Sequence, residues 1–308
     1  MKLASTIILL LATIVVLPIV AVNFDTPLND LQWQMIKNSY AVAFGVAMLC
    51  FVLSELTGNC SQVDKIWSIT PIIFVWIFAA MSGWNDRLVL MAIVVTVWGV
   101  RLTYNFSRRG AYTLKFWAGE EDYRWEILRQ NPMFKDKKWN WRFFNLFFIS
   151  IYQNSLIWLI TLPAVVAIEG ADKAIGFWDF VVAAAVIAFI AIETIADQQQ
   201  WNFQQKKYAL KNEGQPLTEE YAKGFLDKGL WGIVRHPNYA SEQMIWIVFY
   251  CFSIVATGRY INWSMAGALL LVLLFQGSAD FSEGISAEKY PAYKDYIKRV
   301  GRYIPKFW

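Results

Sequence analysis

The sequence predicts an all-α polytopic transmembrane helix bundle of seven or eight spans, with a cofactor cavity facing the cytosol. Three observations lead there. Hydrophobic residues fill 57% of the 308 positions and charged residues only 17%, against roughly a quarter charged in soluble domains. The apolar residues gather in runs of about 18 or more, the length a helix needs to cross a hydrocarbon core of roughly 30 Å. Most Lys and Arg residues fall between the runs. Length alone would suggest about two soluble domains, but this distribution is that of a membrane protein whose first partner is the lipid bilayer. Cys50, Cys60 and Cys251 are too few for a secreted disulfide scaffold. A net charge of +4 without a separate basic domain argues against nucleic acid.

The runs lie at roughly 5–22, 39–56, 66–84, 88–107, 143–168, 177–196, 240–257 and 263–281. Lys2 followed by the first run could be a signal peptide, but Val20-Ala21-Val22 is a poor small-x-small cleavage site, so a retained helix is favoured. Without it, seven helices keep the same loop sides. Pro163 is expected to kink the longest run, which a bilayer helix tolerates. The chain divides into an N-terminal span and loop, 1–38, and one membrane-embedded domain, 39–308. No fixed repeat or low-complexity stretch is visible.

Sidedness follows from Lys and Arg, which enrich short cytoplasmic loops. Segment 108–142 holds nine of the 28, 197–238 holds six and 283–308 six more, whereas 23–38, 85–87, 169–176 and 258–262 hold one apiece. With eight spans the three basic segments share one side with Lys2, so both termini are expected in the cytoplasm. The membrane is either a bacterial inner membrane or the endoplasmic reticulum.

A charge within a span costs on the order of 3 kcal/mol on insertion scales and calls for a reason. Glu55, Arg101, Glu193 and Glu242 are such charges, and all fall toward the cytoplasmic ends of their runs. Glu55 closes the second run, Arg101 and Tyr104 the fourth, Glu193 and Asp197 the sixth, while Glu242 opens the seventh and Asp64 occupies a short turn. Asp280 and Glu283 read as interfacial rim charges. A transporter more naturally places polar groups at mid-membrane in broken helices. Convergence at one rim suits an enzyme taking a soluble cytosolic cofactor. Arg108, Arg109, Arg124, Arg129, Lys206, Lys207 and Arg235 surround the same mouth, and arginine's planar fork suits phosphate.

Arg235-His236-Pro237-Asn238-Tyr239 directly precedes the seventh run, with Glu242 three residues on, and His236 is the chain's only histidine. Pro237 fixes the start of the helix and Asn238 is its expected N-cap. The positive end of the helix dipole then favours anions, so Arg235 and His236 read as a phosphate or carboxylate grip. No Gly-x-Gly-x-x-Gly follows a strand, no Cys/His cluster has metal-ligand spacing, and no Ser-His-Asp or Cys-His arrangement appears.

Several segments together resemble the DUF1295 family. They are Gln62-Val63-Asp64-Lys65-Ile66-Trp67-Ser68, Trp98-Gly99-Val100-Arg101-Leu102, Gly119 through Arg124, Ala196-Asp197-Gln198-Gln199, the Arg-His-Pro-Asn-Tyr motif, and Lys289-Tyr290-Pro291-Ala292-Tyr293. The resemblance covers roughly 40–308. That family is similar to the steroid 5-alpha-reductases, with isoprenylcysteine methyltransferases and sterol reductases as more distant relatives. Leu53-Ser54-Glu55-Leu56 resembles the reductases' Gln-Glu segment with Ser54 in place of Gln, and Tyr104 resembles their substrate tyrosine. Glu193-x-x-x-Asp197 stands where they carry an Asn-x-x-x-Asp cofactor contact, and Asn238 and Glu242 match the Asn and Glu beginning the next helix. The histidine-rich end of their last helix is absent.

The resemblance implies an NADPH-dependent membrane oxidoreductase acting on the conjugated double bond of a lipophilic enone such as a steroid, sterol or polyprenoid. Arg235, His236, Asn238, Tyr239, Glu242, Asp197, Glu193, Arg108 and Arg124 would hold the cofactor. Tyr104 with Glu55, or alternatively Asp64, would hydrogen-bond the carbonyl and stabilise an enolate. A buried carboxylic acid that keeps its proton can donate such a bond. An S-adenosylmethionine-dependent methyltransferase is the alternative, since related methyltransferases carry a similar helix start. A non-catalytic lipid-binding or transport protein is the third reading.

Overall fold

In the computed structural model, residues 3–115 and 117–306 are described; Lys2, used above for sidedness, lies outside them. All described elements are helices, with one isolated parallel bridge between Val234 and Gly301. Six helical stretches are long and apolar enough to cross a membrane: Asp30–Thr57, Asp86–Ser107, Lys138–Gly170, Phe177–Asn212, Pro237–Thr257 and Met265–Lys289. Two apolar helices, Ile7–Asn23 and Thr70–Met81, are shorter. Each expected run therefore contains helix, in a multi-pass arrangement suited to a bilayer.

The chain forms two compact units, 1–184 with 247–271, and 185–246 with 272–308. The first contains α1 (Leu3–Asn23), α2 (Asp30–Thr57), α3 (Gln62–Ile66), α4 (Thr70–Met81), α5 (Asp86–Ser107), α6 (Tyr123–Arg129) and α7 (Lys138–Phe144). After α7 come a π-helical stretch (Asn145–Tyr152), α8 (Gln153–Leu159) and α9 (Pro163–Ala167). Then follow α10 (Phe177–Asn212), α11 (Glu219–Ala222), α12 (Leu230–Ile233), α13 (Pro237–Thr257), α14 (Met265–Lys289) and α15 (Tyr293–Arg299). The second unit comprises the C-terminal parts of α10 and α14, the N-terminal part of α13, and α11, α12 and α15.

Local chemistry explains the boundaries. Asn29 and Gln32 form a reciprocal capping box on α2, and Gly58 closes that helix in the left-handed region at φ 71°. The fifth run is interrupted rather than merely bent: the helix stops in a turn at 160–162 and restarts with Pro163 as the first residue of α9. Proline lacks the N–H an interior position would need, yet suits a first turn. The sixth run extends far past 196, because 197–212 contains neither Gly nor Pro until Gly214 lies beyond Asn212. Glu193 and Asp197 thus sit within α10 and do not end it.

The sparse cations of the basic-poor connections are committed within the first unit. Arg87 and Asp179 form a buried ion pair at 2.7 Å, and Arg87 also donates to the Gly170 carbonyl at 2.8 Å. Arg259 bridges Asp25 at 3.0 Å and Glu169 at 2.6 Å. Lys173 donates to the Ala256 carbonyl, and Lys37 lies over the Trp33 ring. These contacts fasten the loops at one end of the first unit's helices.

Candidate functional site

The predicted site residues fall into two groups. Glu55, Asp64, Tyr104, Arg108 and Arg124 belong to the first unit; Glu193, Asp197, Arg235, His236, Asn238, Tyr239 and Glu242 belong to the second.

In the first unit, α3 is a single short helix following the α2 cap, and it presents Asp64 to the Trp125 indole of α6, whose N–H donates at 3.0 Å. Asp122 caps α6 and pairs with Arg124 in a fork at 2.7 and 3.0 Å. Burial raises the Asp64 carboxyl pKa from its ordinary 3.8; Arg124 opposes the shift and Asp122 reinforces it. Asp122 itself is held below its ordinary range, because Arg124 outweighs the penalty of burial. Beside them Arg129 chelates Glu121 at 2.6 and 2.7 Å and reaches the Gly58 carbonyl, docking the 119–129 segment onto the end of α2. The Cys60 thiol is buried there, and desolvation pushes its pKa up to about 12, which makes it an inert core group.

Glu55 is spoken for by other partners. Arg142 donates to its carboxylate at 2.7 Å and Asn145 at 3.0 Å, and Asn145 also bonds Ser54. Tyr104 is 64% exposed on α5, with the Arg108 guanidinium 5.4 Å from its ring centre. Arg142, Asn145 and Trp125 are partners sequence reasoning missed. Each lies 61 to 90 residues from the acid it serves, a separation no local spacing reveals.

In the second unit the Arg-His-Pro-Asn-Tyr motif is held tightly. Pro237 is the first residue of α13, so Asn238 lies inside the first turn and not at the N-cap. Its amide donates to Asp197 of α10 at 3.2 Å while its oxygen accepts from the Tyr239 N–H at 3.0 Å. Glu193 and Glu242 are buried, and Glu242 accepts from the Trp246 indole at 3.0 Å. The backbone N–H groups of Arg235 and His236 donate to the carbonyls of Gly301 and Arg302 at 2.8 and 3.1 Å.

Glu283 requires a correction. It is not a rim charge: it is 5% exposed, and Arg235, His236 and Arg302 all donate to it. Arg235 also donates to the carbonyls of Ile297 and Val300. Its guanidinium therefore faces into the unit, toward Glu283 and the C-terminal segment. Asp280, 69% exposed and paired with Arg302 at 2.7 Å, does sit at the surface. Nothing in the spacing of 235, 283 and 302 announces one cluster; only Ala279 one turn before Glu283, also fully buried, hints that this face points inward.

No cluster of three or more His, Cys, Asp or Glu side chains able to hold a metal occurs among the described residues. What the arrangement offers is an amide–carboxylate pair at a helix start in one unit and a carboxyl whose pKa burial raises in the other.

A multi-pass helical chain with these motifs is a membrane protein of a definable kind. The chain belongs to the DUF1295 family, described as proteins of unknown function, which its residues 50–300 match; that family is related to the steroid 5-alpha-reductase-like proteins. It is 35% identical over 301 residues to an uncharacterized protein of Schizosaccharomyces pombe (strain 972 / ATCC 24843), C594.04c, across 92% of this chain and 84% of the relative. No solved structure matches it.

Proposed function

We propose that the chain is an integral-membrane, NADPH-dependent reductase of the conjugated double bond of a lipophilic enone, with its basic segments and both termini in the cytosol. The observation that carries this reading is the Asp197–Asn238 hydrogen bond. It joins the two positions that resemble the reductases' cofactor contacts, although 41 residues separate them. A carboxylate and an amide at the start of α13 suit the hydroxyl and carboxamide groups of a nicotinamide nucleotide, and the helix dipole favours its negative charge. When bound, that nucleotide supplies a hydride.

This chain's residues supply the rest. Asp197, Asn238, Tyr239 and Glu242 bind and orient, with exposed Lys206 available to phosphate. Asp64, the carboxyl that burial keeps protonated to higher pH, donates a hydrogen bond to the enone oxygen and stabilises negative charge as it develops there. Tyr104 is the second donor. Glu55, already bonded to Arg142 and Asn145, orients the end of α2.

The test is binding and turnover in lipid nanodiscs. NADPH fluorescence should change on addition of protein, S-adenosylmethionine should give no calorimetric heat, and a 4-en-3-one steroid should drive NADPH oxidation. Asp64→Asn should lower turnover by about 10²-fold or more while leaving NADPH affinity intact. Binding of S-adenosylmethionine without NADPH would establish the methyltransferase instead.

A further inference from the structure

The only histidine of the chain is held so that its two nitrogens have separate fates. Glu283 Oε1 accepts from His236 Nε2 and from Arg235 Nε, both at 2.9 Å, and Oε2 accepts from Arg302 at 2.9 Å and from Arg235 Nη2 at 3.3 Å. With two guanidiniums on it, Glu283 is an ionised carboxylate, which can only accept hydrogen bonds. The proton in the His236–Glu283 bond therefore belongs to Nε2. The imidazole plane is fixed as well: it stacks on Tyr239 at 5.1 Å and 13°, with Tyr303 6.2 Å away. Backbone bonds from Arg235 and His236 to the 301–302 segment hold the base of the side chain. No partner for Nδ1 occurs among the described residues.

We infer that Glu283 fixes His236 in the Nε2-protonated tautomer, so that Nδ1 accepts a hydrogen bond from an O–H or N–H group of the bound cofactor, and the Arg235–His236 pair is not a phosphate grip. The inference rests on the reading of α13's start as a cofactor site. It assigns Glu283 and Arg302 as positioning residues and His236 as an acceptor for a ribose hydroxyl or a carboxamide N–H. Arg235 has the role of neutralising Glu283 and tying down Ile297 and Val300. A phosphate, whose oxygens are predominantly hydrogen-bond acceptors at neutral pH, would find no donor at Nδ1 of this tautomer.

A single histidine makes the test direct. Protein labelled with ¹⁵N at histidine should show one imidazole spin system, with the proton on Nε2 and a pyridine-type Nδ1 at pH 8. A proton on Nδ1, alone or together with one on Nε2, overturns the inference. Titration with NADPH should move the Nδ1 resonance. His236→Gln retains a side-chain N–H donor for Glu283 but has no acceptor at the Nδ1 position, so it should keep wild-type thermal stability and weaken NADPH binding about 10-fold, the worth of one hydrogen bond. Wild-type affinity in His236→Gln overturns the acceptor role. If NADPH fails to bind the wild type but S-adenosylmethionine, which also carries ribose hydroxyls, shifts Nδ1, the reductase reading falls and the acceptor role stands. If neither nucleotide shifts Nδ1, the inference falls.

Discussion

Glu283 of the second unit and Asp64 of the first are both acidic side chains drawn out of water, and their surroundings treat them oppositely. Glu283 accepts four hydrogen bonds from two arginines and the histidine, so its charge is balanced where it sits. Asp64 accepts from a neutral indole. Arg124, the cation that opposes the shift, is forked onto Asp122, whose own negative charge raises the Asp64 pKa further. Burial alone therefore says little about an acid's role. The charges that share its site decide whether its carboxylate is neutralised, as that of Glu283 is, or has its pKa raised, as that of Asp64 has.

The strongest way to break this comparison is Glu283→Gln. It leaves Arg235 buried without its counter-ion and should cost about 3–5 kcal/mol, seen as accelerated hydrogen exchange across 234–246 and 293–303 with little change around α3 and α6. Next, Arg302→Ala removes one of Glu283's partners at a side chain 26% exposed and should cost about 1–2 kcal/mol by the same measurement, since Arg235 and His236 remain.

Asp64→Asn should act with the opposite sign and a smaller size. A carboxyl whose folded pKa is raised binds its proton more tightly when folded, so wild-type stability falls as pH rises from the ordinary 3.8 to the raised value and stays lowered above it. The Asn variant lacks that dependence. It should unfold at an equal or higher temperature than wild type at pH 7, and the difference should vanish below about pH 4. Under the proposed chemistry, wild-type turnover should also decline as pH rises through that raised value. A variant less stable than wild type at neutral pH would show that Asp64 is an anchor after all. The smallest effect belongs to Lys298→Ala, because Lys298 and Asp295 are 76% and 72% exposed; its change should stay within about 0.5 kcal/mol in a thermal melt.

How far the sequence could be read is clear from particular residues. The helix start at Pro237, the break at Pro163 and the end of α2 at Gly58 each follow from the backbone freedom of one residue. The expected N-cap at Asn238 missed by two positions, because Pro237 takes the first helical position and His236 precedes it. The length of α10 was missed because hydropathy reports where a helix meets lipid, whereas helix propensity, which Gln, Lys, Ala and Leu share, decides how far it continues. Glu283 was misread for a different reason. Its partners Arg235 and His236 lie 48 and 47 residues earlier and Arg302 lies 19 residues later, beyond α15, and pairing over such distances leaves no periodic trace.

By itself the sequence determined the helical membrane class, the number and rough extent of the apolar runs, and the motifs shared with the family. Apolar run length and local capping are properties of neighbouring residues, and these suffice for that. Only the tertiary structure decided which acid is neutralised by arginines and which has its pKa raised by burial, that Arg235 turns inward, that Glu55 belongs to Arg142, and that Asp197 meets Asn238. Each of these depends on which charges and dipoles lie within a few ångströms, where Coulomb energies and desolvation are large. Folding sets those distances, and sequence spacing does not.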